Sequence, residues 1–180
     1  MLSAMIVTAD DSLLVDAARR GDIDAFEVLV RRYQEPVYRV ALRMLGSESD
    51  AQDAGQEAFI RAWRSLAHFR GDSAFATWLY RIVTNRCLNV LAARRPVEPL
   101  TEAHPDPGAD PAEFAERRER FRAVADSILA LPAEQRAALV LREFQGLAYE
   151  EVAEVLGVSP AAVKGRIHRA RLGVAERLGR

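Results

Sequence analysis

The chain has 180 residues, of which 49% are hydrophobic, and its formal net charge is −1. This composition supports a packed core and excludes wholesale disorder, and the length suits one ordinary domain or two small ones. The single cysteine, Cys87, excludes an internal disulfide, which fits a cytoplasmic protein. No apolar run approaches the ~20 residues of a membrane span. Residues 1–10 lack the features of a signal peptide and are expected to form a flexible tail.

Apolar side chains recur at helical spacing through the first half of the chain, which predicts four helices. The second is predicted to begin with Asp24 as its cap and to end at Gly46, and the third to begin at Ser49. The fourth follows the polar loop 68–73. In chain order, the apolar positions are Leu13, Leu14, Ala17 and Ala18; Phe26, Leu29, Val30, Tyr33, Val37, Val40, Ala41, Met44 and Leu45; Phe59, Ala62, Trp63 and Leu66; and Phe75, Trp78, Leu79, Ile82 and Val83.

The third helix carries a polar face opposite its apolar stripe. This face consists of Asp50, Asp53, Gln56 and Glu57. A helix dipole favours acids near the N-terminus, which gives Asp50 and Asp53 a purely structural explanation, but Glu57 lies further in. From composition alone the face is a solvated helix surface. Trp63 and Trp78 belong to the apolar stripes and are interpreted as core residues, because large aromatic side chains are mostly buried.

The composition changes between residues 96 and 113. Prolines interrupt any helix there, at Pro96, Pro99, Pro105, Pro107 and Pro111, and acids accompany them at Glu98, Glu102, Asp106 and Asp110. Such a segment is typical of a semi-extended linker, although a disordered tether has the same composition. The predicted organisation is therefore a tail (1–10), a domain (11–95), a linker (96–113) and a second domain (114–180).

The second domain is also predicted to be helical. Its periodic apolar positions are Phe114, Phe121, Val124, Ala125, Ile128 and Leu129, followed after a break at Leu131-Pro132 by Leu139, Val140 and Phe144. No stretch of the chain shows the sustained alternation of a strand. The predicted fold class is all-α, with two small helical domains joined by a proline-rich acidic linker.

Residues 147–172 are typical of a helix-turn-helix. Gly157 suits the left-handed end of a first helix, Ser159 can cap a second, and Pro160 fits its first turn. The second helix buries Val163, Ile167, Ala170 and Val174, and its other faces carry Lys164, Arg166, Arg169 and Arg171. In this motif the N-terminal half of the second helix enters the DNA major groove. The alternative for this stretch alone is the solvated edge of a helical bundle.

Several motifs, taken together, are more specific. The first domain contains Asp50-x-x-Asp53-x-x-Gln56-Glu57-x-Phe59-x-x-Ala62-Trp63 and Phe75-x-x-Trp78-Leu79-x-Arg81-Ile82-x-x-Asn85. The second contains Leu131-Pro132-x-x-Gln135-Arg136, Gly157-Val158-Ser159 and Val163-Lys164-x-Arg166-x-x-Arg169-Ala170-Arg171. This set resembles bacterial RNA polymerase sigma factors of the extracytoplasmic-function group. The resemblance covers roughly residues 11–95 and 114–178.

The resemblance implies a role for each surface. The polar face of Asp50, Asp53, Gln56 and Glu57 would dock on core RNA polymerase. The −10 promoter element would be read by Phe69, Arg70, Asp72, Ser73, Arg81, Asn85, Arg86, Arg94 and Arg95, with one base extruded into a pocket formed by the loop. The −35 element would be read by Ser159, Pro160, Ala161, Ala162, Lys164, Gly165, Arg166, Arg169 and Arg171. A dedicated anti-sigma factor is a further expected partner. Ala148 departs from the family pattern, which commonly has a Ser or Thr helix cap there.

Two other classes of function were compared with this interpretation. A stand-alone helix-turn-helix regulator of operator DNA would not need the acidic face, and would usually bind as a dimer. A small enzyme would need a nucleophile–base pair, a metal cluster or a phosphate-binding loop, and the sequence offers none of them. We therefore expect no enzymatic activity, no metal and no cofactor.

Overall fold

A computed structural model describes residues 10–93 and 111–179, with side chains given from residue 118 onwards in the second part. These residues form helices and contain no strand, which confirms the predicted all-α class. The helices are α1 (Asp11–Arg19), α2 (Ile23–Leu45), α3 (Glu48–Ser65), α4 (Phe75–Ala93), α5 (Pro111–Leu129), α6 (Ala133–Phe144), α7 (Tyr149–Leu156) and α8 (Pro160–Arg177), with a 3₁₀ turn at Leu66–His68. Within the described residues, no helix combines the length and the apolar character needed to cross a membrane. Helix α5 begins at Pro111, so residues 111–113 of the predicted linker are helical.

Two helix caps lie two residues before their predicted positions. The carboxylate of Asp22, not of Asp24, accepts a hydrogen bond from the backbone N of Ala25 at 3.0 Å and caps α2. Ser47, not Ser49, accepts one from Asp50 N at 3.3 Å and caps α3. Both caps have the extended backbone that a capping residue needs. The predicted caps instead stand inside the first turns.

The first domain is built around α2, α3 and α4, with α1 packed on α2. Helix α3 buries a stripe of small residues, Ala51, Ala54, Gly55, Ala58 and Ala62, which lets its backbone approach its neighbours closely. A methyl group added at Gly55 would lie 3.7 Å from a side-chain carbon of Val37. Helix α2 continues through Pro36 without interruption. The tight packing of α3 therefore depends on alanine and glycine rather than on large side chains.

The prediction that Trp63 is a core residue was wrong. Its side chain is 37% exposed and packs on Phe26, with ring centroids 4.9 Å apart. Trp78 is half-buried. Because the small-residue stripe of α3 faces the core, the tryptophan of this helix lies at the edge of the core and not inside it.

Helix α1 is held on α2 by a partly buried polar contact. The carboxylate of Asp11 accepts hydrogen bonds from Arg32 and from the hydroxyl of Tyr33. Burial, reinforced by the hydrogen bond to Asp11, raises the pKa of Tyr33 well above its ordinary value. Tyr33 therefore stays protonated and keeps donating to Asp11.

The second domain is centred on α6, whose residues Arg136 to Leu141 are all buried. The apolar stripe predicted on α5 is only partly buried. Ile128 is 6% exposed, whereas Phe121 is 65% exposed and Val124 is 37% exposed, so that part of the prediction was wrong. The side chain of Phe114 lies outside the described residues. Among the described side chains of α5, those at its C-terminal end join the core.

The two domains pack against each other. Helix α4 contacts α7, and the C-terminal part of α2 contacts α5 and α6. Tyr80 shows the effect most clearly, because it lies outside the predicted apolar stripe of α4, yet it is only 7% exposed and hydrogen-bonds to Gln145 of the second domain. The spacing of apolar residues within one helix could not predict this contact.

Candidate polymerase and nucleic-acid interfaces

The polar face of α3 is largely open to solvent. Asp53 and Gln56 are exposed, and Asp50 is half-buried. Glu57 differs from the others, because its two carboxylate oxygens lie 2.5 Å from Arg61 of the same helix and 2.5 Å from Nε of Arg86 on α4. Glu57 therefore links α3 to α4, and its charge is already compensated. The freely accessible part of the acidic face is centred on Asp53 and Gln56.

A cavity of about 270 Å³ lies between the loop after α3 and the start of α4. It is lined by His68, Phe69, Arg70, Asp72, Ser73, Trp78 and Arg81, and by Glu154 of the second domain. The four predicted loop residues are therefore brought together at one pocket. Three further lining residues were missed from the sequence: His68, Trp78, which was interpreted as core, and Glu154 of the second domain. The positions of His68 and Trp78 beside the loop were the signal that could have identified those two.

The aromatic residues of the pocket support one another. Phe69 is 8% exposed and packs on Phe75, at 6.2 Å between ring centroids, and on Trp78, at 5.0 Å. The near-perpendicular Phe69–Phe75 arrangement is a favourable geometry for an aromatic pair. Phe69 thus anchors the loop on α4, and the half-buried Trp78 offers the more accessible ring.

The polar residues predicted to meet the −10 strand have different environments. Asn85 is exposed on α4. Arg81 lies 2.5 Å from the Glu154 carboxylate, and Arg86 is paired with Glu57. Arg94 and Arg95 lie outside the described residues. The two arginines on α4 that the structure describes are both ion-paired.

The helix-turn-helix is confirmed by its local geometry. Gly157 has a φ of 63°, in the left-handed region, and ends α7. Ser159 Oγ accepts a hydrogen bond from Ala162 N at 3.2 Å, and Pro160 is the first residue of α8. Ala148 has no capping side chain, but Glu151 accepts a hydrogen bond from Ala148 N at 2.7 Å. This contact supplies half of a capping box, so α7 begins more firmly than Ala148 alone suggests.

Helix α8 buries Val163, Ile167 and Ala170, as predicted, while Val174 is half-buried. Its outward face carries Ala161, Lys164, Arg169 and Arg171, all of which are exposed; Ala162, Gly165 and Arg166 are half-buried. A methyl group at Gly165 would stand 3.5 Å from the Arg169 guanidinium, so the glycine leaves room for that side chain. The N-terminal half of α8 thus presents small residues and a lysine to solvent.

Two arginines of α8 pair with acids of α6. Arg166 contacts Glu134, and Arg171 lies 2.5 Å from Glu143. The hydrogen bond to Glu143 raises the pKa of Arg171. Arg169 and Lys164 are also exposed on this helix, and Lys164 Nζ lies 5.6 Å from the centre of the Tyr149 ring.

This geometry defines a class: a two-domain helical protein with a loop pocket beside a cationic helix in one domain and a helix-turn-helix in the other. Comparison with known families agrees. The family description "Sigma-70 region 2" matches residues 29–96, and "Sigma-70, region 4" matches residues 121–172.

Individual relatives narrow the assignment. The RNA polymerase sigma-H factor of Pseudomonas aeruginosa is 40% identical, over 97% of this chain and 96% of the relative. The ECF RNA polymerase sigma-E factor of Escherichia coli is also 40% identical, over 89% and 90% of the two chains. The chain belongs to the extracytoplasmic-function group of RNA polymerase sigma factors. The family consists of non-enzymatic transcription initiation factors, and the stand-alone regulator is not favoured.

Solved structures show the same architecture. CnrH, solved in complex with the cytosolic domain of CnrY, is 32% identical, with a TM-score of 0.73 over 94% of this chain and 97% of that chain. RpoE of Bartonella quintana, solved with the anti-sigma factor NepR, is 22% identical with a TM-score of 0.68, over 86% and 96% of the two chains. The second likeness shows the fold alone.

Proposed function

We propose that this sigma factor docks on core RNA polymerase through Asp50, Asp53, Gln56 and Glu57, reads the −10 element with the loop pocket and α4, and reads the −35 element with α8. The corresponding units are residues 11–95, a linker at 96–113, and residues 114–180, acting in the cytoplasm without catalysing a reaction. The observation that supports this proposal is an exposed acidic face on α3 in addition to a loop pocket and a helix-turn-helix. A stand-alone regulator has no use for that face.

The physical properties of each surface suit its role. Charged groups on the α3 face can steer and orient a basic partner. Extruding a base from the promoter strand costs a few kcal/mol, which the pocket can offset through Trp78 stacking and polar contacts from Arg70, Asp72 and Ser73. Each DNA contact alone is weak. Because both DNA-contacting surfaces are carried by one polymerase, binding of one promoter element raises the effective concentration of the other element at its own surface.

The −35 contact follows helix-turn-helix geometry. Ala161, Ala162 and Gly165 allow close approach to base edges, and Lys164 and Arg169 stand ready for base edges or phosphates. Ser159 and Pro160 fix the start of the helix that enters the groove. Arg166 and Arg171 contribute after exchanging their carboxylate partners for phosphate.

A protein inhibitor that covers one of these surfaces would silence the factor, and we propose that an anti-sigma factor does so. The similar protein CnrH was solved with a protein partner, the cytosolic domain of CnrY. The structure of this chain leaves large apolar side chains exposed, including Ile23, Ile60 and Leu172. Those side chains are available to such a partner.

The direct test is run-off transcription on genomic fragments with purified core enzyme, together with measured affinity for core. Asp53→Arg should weaken core binding about tenfold or more, because reversing a charge in a complementary interface creates like-charge contacts. Asp53 is a cleaner site than Glu57, which also links α3 to α4. Asp24→Arg on α2 is the control, since Asp24 is exposed but lies outside the acidic face.

Equal core affinity for wild type and Asp53→Arg would refute the docking surface. Failure of the wild-type protein to direct core enzyme to any start site, with no inhibitor present, would refute the function as a whole. Wild-type behaviour of Asp24→Arg shows that charge reversal by itself does not cause the loss.

A further inference from the structure

We propose that the free protein holds itself in a closed arrangement, in which α7 of the second domain packs on the −10-reading helix and places Glu154 at its base pocket, while α8 stays open. The closed arrangement is a property of this chain alone. Its regulatory meaning rests on the proposed function, because the covered surface is the one assigned to the −10 strand. The following contacts carry the inference.

The first set of contacts joins α4 to α7 and to the residue that follows α6. The Tyr80 hydroxyl donates to Gln145 Oε1 at 2.9 Å, and Thr77 Oγ1 donates to Glu151 at 3.4 Å. Arg81 lies 2.5 Å from the carboxylate of Glu154. Thr77 is 1% exposed and Tyr80 7% exposed. The face of α4 that carries Thr77, Tyr80 and Arg81 is therefore covered by the second domain.

Glu154 is the residue that links closure to DNA binding. Its side chain lines the cavity formed by the loop and by Trp78, and it sits on Arg81. A carboxylate on an arginine at the mouth of this pocket takes the position that a backbone phosphate would need. Closure and strand binding thus compete for the same cation.

A second set of contacts closes the other end of the interface. The buried Arg136 donates to the carbonyl oxygen of Met44, near the C-terminus of α2. Leu129 lies against Gly46, so closely that a methyl group there would approach its side chain to 2.8 Å. Arg43 stands over the Phe144 ring at 4.2 Å from its centre. Contacts at both ends fix the orientation of the second domain.

The recognition helix α8, in contrast, is not covered by the described part of the first domain. Helix α8 packs on α5, α6 and α7, within its own domain. Ala161, Lys164 and Arg169 remain exposed in the closed arrangement. Closure therefore masks one promoter contact and leaves the other accessible.

The composition of the interface allows it to open. The Arg81 and Glu154 side chains are 40% and 38% exposed, so water and salt weaken their attraction. Polar interfaces between domains of one chain commonly permit relative motion. An apparent affinity falls in proportion to the fraction of molecules in the competent, open state. Breaking one such ion pair changes that fraction by up to about fivefold.

The test uses the full chain and three variants of α7. Glu154→Arg faces Arg81 with a like charge and should open the molecule. Glu150→Arg, at an exposed position of the same helix, carries the same change in net charge and serves as the control. Glu154→Gln removes the charge with little change in shape. Far-UV circular dichroism verifies that each variant is folded.

Two readouts separate closure from function. Small-angle X-ray scattering measures the radius of gyration without DNA, and fluorescence anisotropy measures binding of a fluorescein-labelled single-stranded oligonucleotide of randomised sequence. We expect Glu154→Arg to be expanded and to bind the oligonucleotide about fivefold more tightly than Glu150→Arg. Glu154→Gln should shift both readouts in the same direction by less. The double variant Arg81→Glu/Glu154→Arg should return to the compact wild-type radius, since it restores the pair with reversed charges.

A radius for Glu154→Arg equal to that of wild type would overturn the latch. Expansion without a gain in oligonucleotide binding over Glu150→Arg would overturn the masking. Failure of transcription with core enzyme, combined with the expected change in radius, would count against the proposed function while leaving the closed arrangement supported.

Discussion

Replacing Arg136 with methionine tests a contact at the interface between the two domains. The Arg136 side chain lies in the core of the second domain and contacts the C-terminal end of one helix from each domain. Arg136 is 8% exposed. Its guanidinium donates to the carbonyl oxygens of Leu129 and of Leu131, the latter at 3.0 Å, and to that of Met44. The Met44 and Leu129 carbonyls belong to the last turns of α2 and α5, where no intrahelical partner is available. Arg136 therefore satisfies groups that the helices themselves leave unpaired.

The expected loss of stability follows from these contacts. A hydrogen bond from a charged donor contributes roughly 1.5–3 kcal/mol. Methionine restores part of the packing and removes the cost of burying a cation. Adding the energies of the three hydrogen bonds would therefore overestimate the loss of stability. We expect Arg136→Met to lower the free energy of unfolding by about 3–5 kcal/mol, because it leaves three carbonyl acceptors unpaired at a cost of roughly 1–3 kcal/mol each. Each kcal/mol lowers Tm by roughly 4–8 °C in a domain of this size.

Urea unfolding provides the assay. Trp63 and Trp78 both lie in the first domain, so their fluorescence reports that domain, whereas far-UV circular dichroism reports both. The circular dichroism transition should move to lower urea by more than the fluorescence transition. Arg122→Met, at an exposed position of α5, is the control and should stay within about 0.5 kcal/mol of wild type. A loss below about 1 kcal/mol for Arg136→Met would refute the assigned role.

Two further substitutions test the turn geometry. Gly46→Ala should lower the free energy of unfolding by about 1–2 kcal/mol, because alanine is strained in the left-handed conformation at φ 71°. It should also increase the radius of gyration measured by X-ray scattering, because the new methyl group contacts Leu129 of the second domain. Gly21→Ala, at φ 94° with open space around it, should show the strain alone, and equal expansion of both variants would contradict the explanation. Ser159→Ala should cost about 1 kcal/mol through loss of the cap on Ala162. Ser159→Asp should keep the cap but weaken binding to −35 duplex DNA in a mobility-shift assay, since it adds an anion beside phosphate; unchanged binding would place this helix end away from DNA.

Much of the fold was predictable because it depends on local pattern. The spacing of Val163, Ile167 and Ala170 predicted the buried face of α8, and Gly157 predicted the end of α7. These features follow from backbone geometry and from the 3.6-residue period of a helix. Both depend only on residues that are close in sequence, three or four positions apart. Caps shifted by two residues, as at Asp22 and Ser47, because several candidate caps stood close together.

Contacts between distant segments could not be predicted in the same way. Trp63 shared its helical face with apolar residues, and only the tertiary packing of the small-residue stripe shows that it lies at the edge. Phe121 has the spacing of a core residue, yet α5 meets the core only at its C-terminal end. Tyr80 is buried by a domain that lies more than sixty residues further along the chain. Periodicity describes one helix and carries no information about what covers it.

The ion pairs of the proposed DNA-contacting arginines explain how a protein with a net charge of −1 can bind DNA selectively. Arg81, Arg86, Arg166 and Arg171 each have a carboxylate partner: Glu154, Glu57, Glu134 and Glu143. Phosphate must displace these acids, so each contact yields only the difference between two ion pairs. Nonspecific binding, which depends on phosphate contacts alone, loses most from this exchange. The proposed stacking of a base on Trp78 and the proposed groove contacts of Lys164 and Arg169 do not need this exchange, so the internal acids favour promoter recognition over general attraction to DNA.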